Sequence, residues 1–174
     1  MHHLQETNEY FALRKELDAH CRELSQLHES QMVCGAGCDQ CCMDFSIFPV
    51  EYHAIKMEIS SLPGQILTAG PHSPCPFLVE HRCTIYSSRP LICRTQGLPL
   101  LFMNEDQWEL SACELNFQNY DLQSFTAENT FPQDRFNSRL FLINKSFLES
   151  FPHYGYQHGE LIAVRSLVSE NLNP

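Results

Sequence analysis

Tyr10, Leu13, Leu17, Cys21, Leu24 and Leu27 recur at steps of three and four, with Glu9, Arg14, Lys15, Glu16, Arg22 and Glu23 between them. That period predicts an amphipathic helix over residues 6–30, lying across the segment that follows. Gly35, Gly37 and the crowded Cys41-Cys42 pair break the pattern, so residues 32–45 read as a loop. Ser46-Ile47-Phe48-Pro49 opens a second helix running to about Ser61, with Pro49 tolerated in the first turn and Glu51 favoured near the positive end of the helix dipole. Pro63, Pro71, Pro74 and Pro76, with Gly64 and Gly70, leave residues 62–76 irregular. Leu98–Met103 and Gln107–Ser111 flank the polar Asn104-Glu105-Asp106 and predict a small β-hairpin.

Beyond Pro132 the helical period returns, with Phe136, Leu140, Ile143 and Phe147 on one face over residues 133–149, and a final helix is expected over 159–170. No repeat or long linker divides the chain. The expectation is a single domain over 1–174, mainly α, with irregular cysteine-rich metal-binding loops and a small β-hairpin. Its cysteine-cluster core spans 34–113, between flanking helices at 6–30 and 133–170.

Composition narrows the class. With 174 residues, 43% hydrophobic content, 12 Phe and 6 Tyr, one core is readily built. No stretch approaches the roughly 20 apolar residues of a membrane span, and the first residues lack a basic region followed by an apolar run. A cytoplasmic protein with no membrane association is expected. The 11 Lys+Arg against 21 Asp+Glu give a net charge of −10, which disfavours nucleic acid as a partner.

The chemistry lies in the cysteines. Eight of the nine fall between residues 34 and 113, and the first four read Cys34-x3-Cys38-x2-Cys41-Cys42. In a reducing cytosol clustered thiols are more often metal ligands than disulfides, and an odd total suits complete pairing badly. Two thiolates a few residues apart reach one ion because the loop between them makes a single turn. Adjacent Cys41 and Cys42 point in different directions in most backbone conformations. They therefore serve different ions, or one only supports the other's ion. Cys75, Cys83, Cys93 and Cys113 would complete the coordination from other loops, as two four-thiolate sites or as one larger cluster with members left over. Cys21, on the apolar face of the first helix, reads as an ordinary buried thiol.

Other candidates are less specific. Arg89 and Arg94 flank Cys93 and either donate hydrogen bonds to its thiolate or pair with a surface carboxylate. His53, His72 and His81 lie near the cysteine blocks and could replace a cysteine. His153-x4-His158-x-Glu160 could supply nitrogen and oxygen ligands, although Tyr154-Gly155-Tyr156 between them reads as a turn. Asp44, Glu51 and Glu58 could be iron ligands or general bases. No phosphate-cradling loop, nucleophile elbow or dinucleotide fingerprint is present, and Cys38-x2-Cys41 lacks the βαβ context of a thiol oxidoreductase.

The combined motifs resemble the YkgJ-like cysteine-cluster family, a zinc- or iron-chelating domain. Cys34-x3-Cys38-x2-Cys41-Cys42 looks like its opening cluster and Glu51 like its recurrent acidic position. Cys75-Pro76-Phe77-Leu78, Cys83-Thr84-Ile85-Tyr86 and Arg89-Pro90-x2-Cys93-Arg94 look like its second block, and Cys113 resembles a later cysteine. The chain departs from the pattern at Thr95-Gln96-Gly97 and at Cys113-Glu114. The resemblance implies metal or iron–sulfur binding, and a related cluster in flagellin lysine N-methylases extends the analogy to protein modification.

The expected function is a metal-binding protein in which Cys34, Cys38, Cys41, Cys42, Cys75, Cys83, Cys93 and Cys113 hold an iron–sulfur cluster or iron, with zinc as the alternative. It would act in electron transfer or in metal-dependent chemistry on a partner protein. The competing class is a non-enzymatic binding module with structural zinc. The two differ in colour: thiolate-ligated iron absorbs near 400 nm (roughly), and zinc is silent.

Overall fold

The computed structural model describes residues 4–64 and 66–169. The first helix, α1 (Leu4–Leu27), buries Tyr10, Leu13, Leu17 and Leu24, the stripe that the period selects. It ends a turn earlier than residue 30, followed by a 3-10 turn at Glu29–Gln31. Leu27, expected on the buried face, is 62% exposed. His28 turns inward in its place, buried among Phe117, Tyr120 and Phe125, with Nε2 2.7 Å from the Asn129 carbonyl.

Residues 32–45 form the expected loop. Ser46 and Ile47 are not helical: they make a short strand, β1 (Ser46–Ile47), and the helix α2 (Pro49–Ser61) begins at the proline. No side chain of its own caps α2. The Asn144 amide oxygen, from a distant helix, accepts the Val50 N–H at 3.2 Å, satisfying one of the free donors of the first turn. Beyond the proline-rich stretch come β2 (Leu78–Val79), β3 (Arg82–Cys83) and the one-turn helix α3 (Leu91–Arg94). The expected hairpin follows as β4 (Leu100–Asn104) and β5 (Gln107–Ser111), paired antiparallel from Leu100↔Ser111 to Asn104↔Gln107. The strand β6 (Phe131–Pro132) adds in parallel on the other side of β4. Both hairpins turn through two residues of positive φ, Glu80-His81 and Glu105-Asp106, the backbone twist that matches twisted strands.

Helix α4 (Gln133–Ser150) occupies the predicted range and buries Phe136, Leu140 and Phe147, with Ile143 half-buried. The final helix does not run over 159–170. Glu160 accepts the Gln157 N–H at 2.7 Å to close a turn, and β7 (Ile162–Ala163) pairs antiparallel with β1. Only α5 (Ser166–Ser169) is helical, and residue 170 lies outside the described residues. The sheet demands an extended backbone where side-chain pattern alone suggested a helix.

Two apolar clusters result. The first joins α1, α4 and one face of α2, through Val50 and Ala54, with Leu91, Leu98 and Phe131. The second lies on the other side of α2, where Tyr52, Ile55 and Ile59 meet Ile47, Phe77, Ile85, Val164 and Leu167. Helix α2 is thus the wall between two cores, and its polar Glu51 is buried in that wall. Arg14 of α1 grips Glu58 of α2 with two bonds of 2.6 Å. Desolvation opposes ionisation of Glu58, but the Arg14 hydrogen bonds outweigh it and hold the carboxyl below its ordinary range.

The Glu51 carboxylate accepts the Leu91 N–H at 2.9 Å and the Tyr10 hydroxyl at 3.4 Å through Oε1, linking α2 to α3 and α1. Burial raises its pKa to about 7, only partly countered by those donors. A raised carboxyl pKa costs no stability below the unfolded value and costs progressively more as pH rises through the folded one. Glu51→Gln keeps an acceptor and removes the charge. It should therefore gain stability over wild type by an amount that grows by roughly 2–3 kcal/mol between pH 5 and pH 8. Urea unfolding at the two pH values, with metal content matched, checks this; a difference independent of pH would refute it.

Candidate metal centre

All nine cysteines are free thiols. In the loop, Cys38 N–H bonds to the Gly35 carbonyl at 3.1 Å and Cys42 N–H to the Asp39 carbonyl at 2.9 Å, two successive tight turns. Gly37 has a φ of +94°, a conformation that a side chain would strain. These turns present Cys34 and Cys38 on the exposed rim and Cys41 and Cys42 half-buried beneath it.

The neighbours that act on each thiol divide the eight. Burial raises the Cys41 pKa, and the negative potential of Cys34, Cys38 and Cys113 raises it further. Burial pushes the adjacent Cys42 to about 11, with Cys41, Cys75 and Cys83 adding to it. Cys93, on α3, is driven well above the thiol range by burial, then by Cys75, Cys83 and Cys42. These influences group Cys34, Cys38 and Cys113 around Cys41, the first set, and link Cys42 and Cys93 with Cys75 and Cys83, the second, although the largest charge effect on Cys42 comes from Cys41 itself. Thiols that raise one another's pKa are groups whose ionised forms repel, and a bound cation relieves that repulsion.

The second set is assembled by regular structure. The β2–β3 register pairs Leu78 with Cys83 and so returns the chain beside Cys75. The Cys75 thiol lies against the Phe77 and Leu78 amides and the Cys83 thiol against the Ile85 amide, which favour their ionised forms while burial opposes it. Cys75 and Cys83 pack against the second apolar core. Arg165 spans the edge, bonding Asp44 through its backbone N–H at 2.8 Å and its Nε at 3.0 Å, and donating from Nη2 to the Ser73 carbonyl at 2.8 Å.

The first set depends on a residue that sequence reasoning missed. Asn116, 3% exposed, accepts the Val33 N–H at 2.9 Å, and its Nδ2 donates to the Gly97 carbonyl at 2.7 Å and lies 3.2 Å from the Cys34 sulfur. The next residue, Phe117, holds a φ of 56° and donates its N–H to the Gln31 carbonyl. This clasp ties the segment that follows Cys113 to the chain just before Cys34 and to Gly97. Gly97 was noted only as a departure from the family pattern; a Cβ there would lie 2.6 Å from the Cys34 sulfur.

The remaining candidates resolve by their partners. Arg94 is spent on Asp18 and on the carbonyls of Arg89 and Ser87, so the carboxylate reading holds for it. Arg89 stacks on the Tyr86 ring at 3.8 Å, leaves a buried Nε without a hydrogen-bond partner among the described residues, and lowers the pKa of both Cys83 and Cys93. Cys21 packs on the first core, where burial and then Asp18 push it to about 12, as an ordinary apolar thiol would be. His81 pairs with Asp39 at 2.8 Å, His53 stacks on Tyr154 and meets the Tyr156 hydroxyl, and His72 is exposed. His153 and His158 are exposed and Glu160 is turned to the Gln157 amide, so that constellation is not gathered into a site.

Among the described residues no three His, Cys, Asp or Glu side chains close around a common point as they stand. Drawing four sulfurs onto one ion takes adjustment of the loops, as is usual where metal binding is coupled to folding. The donor chemistry fits: four thiolates are a complete ligand set for zinc or for an iron–sulfur cluster. Among the described residues no helix is long and apolar enough to cross a membrane.

Gly97 and Gly64 both have φ near +90°, but only Gly97 faces a sulfur; a Cβ at Gly64 meets open space. Gly64→Ala should cost about 1–2 kcal/mol, the left-handed backbone term alone. Gly97→Ala should cost roughly 1–3 kcal/mol more because the clash is added. Thermal or urea melts of the two variants compare them; equal losses would show that Cys34 does not press on Gly97.

Residues 33–114 match the model of a family described as "Putative zinc- or iron-chelating domain", CxxCxxCC. No curated protein and no solved structure matches the chain.

Proposed function

We propose, from the match of residues 33–114 to the CxxCxxCC zinc- or iron-chelating domain, that the chain binds two metal centres, one on each set of four cysteines. The observation that carries this is placement: Cys41 and Cys113 line one cleft with Gly97, which lies against the Cys34 sulfur, whereas the β2–β3 register sets Cys83 beside Cys75 on the second apolar core. Cys34, Cys38, Cys41 and Cys113 would hold one centre and Cys42, Cys75, Cys83 and Cys93 the other. Iron–sulfur ligation would supply one-electron chemistry, and zinc would supply folding energy, on the order of 10 kcal/mol in peptide sites.

At least one centre is read as an iron–sulfur cluster serving electron transfer or chemistry on a partner protein, in the reducing cytosol that keeps the thiols free. The zinc-module reading is favoured at the second set by one observation, the packing of Cys75 and Cys83 against an apolar core. A structural ion there and a functional one at the first set are compatible.

Anaerobic purification with elemental analysis for iron, zinc and acid-labile sulfide tests the proposal. Iron with matching sulfide supports the cluster, zinc alone supports the module, and no metal overturns both. Cys41→Ser and Cys42→Ser should each reduce bound metal by about one centre per chain, because each removes a ligand from a different set, whereas Cys21→Ser should leave metal content intact. Equal metal content in wild type and the Cys41 variant would sink the assignment.

A further inference from the structure

The two sets sit in different surroundings. Cys34 and Cys38 are exposed, on a loop whose Gly35, Ala36 and Gly37 are also exposed, and Cys41 and Cys113 line a cleft of about 310 Å³ with Gln40, Gln96, Ser111 and Glu114. The cleft opens to solvent beside the end of β5 and has amide, hydroxyl and carboxylate groups on its walls. Cys42, Cys75, Cys83 and Cys93 are each half-buried, as Cys41 and Cys113 are, so the contrast lies in the exposed Cys34 and Cys38 and in what the second set packs against. Cys75 and Cys83 pack on Phe77, Ile85 and their neighbours, and Cys93 is held in α3, whose first N–H is fixed by the buried Glu51.

We propose that the centre of Cys34, Cys38, Cys41 and Cys113 is the accessible one, exchanging its metal and meeting small ligands through the cleft, and that the centre of Cys42, Cys75, Cys83 and Cys93 is a closed structural anchor. This rests on the two-centre reading above. Opening the first centre displaces an exposed loop that shields little apolar surface. Opening the second disturbs a packed core, and release of its ion therefore waits on local unfolding. Asn116 is a positioning residue for the first centre: its amide holds Val33 and Gly97 while touching the Cys34 sulfur, so it limits how far the loop lifts away.

The test is metal release from chain loaded anaerobically with zinc, two equivalents per chain, into excess chromogenic chelator. Two phases of equal amplitude are expected, their rates at least tenfold apart. Cys34→Ser should bind one zinc and show only the slow phase. Asn116→Ala should accelerate the fast phase several-fold and leave the slow phase unchanged. Cys83→Ser should retain only the fast phase if it folds, and should it not fold, the first two variants decide the matter. Two zinc ions released in one phase, or a fast phase that survives in Cys34→Ser, would overturn the inequality while leaving the two-centre reading standing. Binding of fewer than two zinc ions by wild type would instead overturn the two-centre reading, and the inequality with it.

Discussion

A buried carboxylate in an apolar wall is a costly choice, and the arrangement of this protein turns on it. Glu51 stands in α2 between the two cores and accepts bonds from the first N–H of α3 and from the α1 tyrosine Tyr10. Helix α3 spans only Leu91–Arg94 and has no capping side chain of its own, so the position of Cys93 depends on that acceptor. An isolated turn of helix is unstable in water, because nucleation is unfavourable and each end leaves unsatisfied groups. Glu51 supplies one missing partner, and Arg94 binding Asp18 of α1 supplies the other tether. This acid thus acts on a backbone amide two residues before a candidate ligand.

Around that post the thiols gather from four stretches of chain, and gathering them is electrostatically unfavourable. Burial favours the protonated thiol, and every neighbouring sulfur adds to the effect. The fold offsets this with local donors: the amides of Phe77, Leu78 and Ile85 lie against sulfurs of the second set, and Arg89 and Arg165 lie within range of it. The donors at the second set favour the ionised form that a metal requires, and the hairpin register sets Cys83 beside Cys75. At the first set the Asn116 amide lies 3.2 Å from the Cys34 sulfur, placed there by the backbone clasp.

Two cores in a chain of this length impose a division of labour. The larger one is helical and holds α1, α2 and α4 together. The smaller one joins one face of α2 to short extended pieces and turns, and Cys75 and Cys83 belong to its half-buried fringe. A core of that size is marginal by itself, and small cores commonly rely on a cross-link or an ion. That is the physical reason for assigning a structural role to the second set and leaving the first, on its glycine-rich loop, to chemistry.

What the sequence determined by itself was whatever depends on local order. The three-and-four period of Tyr10, Leu13, Leu17 and Leu24 determined α1 and the period of Phe136, Leu140 and Phe147 determined α4, because a helix shows its buried face in its own spacing, whereas α2 was expected from Ser46 and begins only at Pro49. The cysteine pattern likewise announced a metal-binding core, since short thiol spacings bring several soft ligands within reach of one ion. Tertiary structure decided the rest. It made strand out of residues 162–163, where pairing with β1 overrode a helical pattern, and it turned Leu27 outward and His28 in. It set Cys41 and Cys113 in one cleft, a meeting of distant segments that no local pattern announces. It also brought Asn116 and Gly97 to the Cys34 sulfur across about 80 and 60 residues of chain, a contact set by clasp and close approach that leaves no period in the sequence to read.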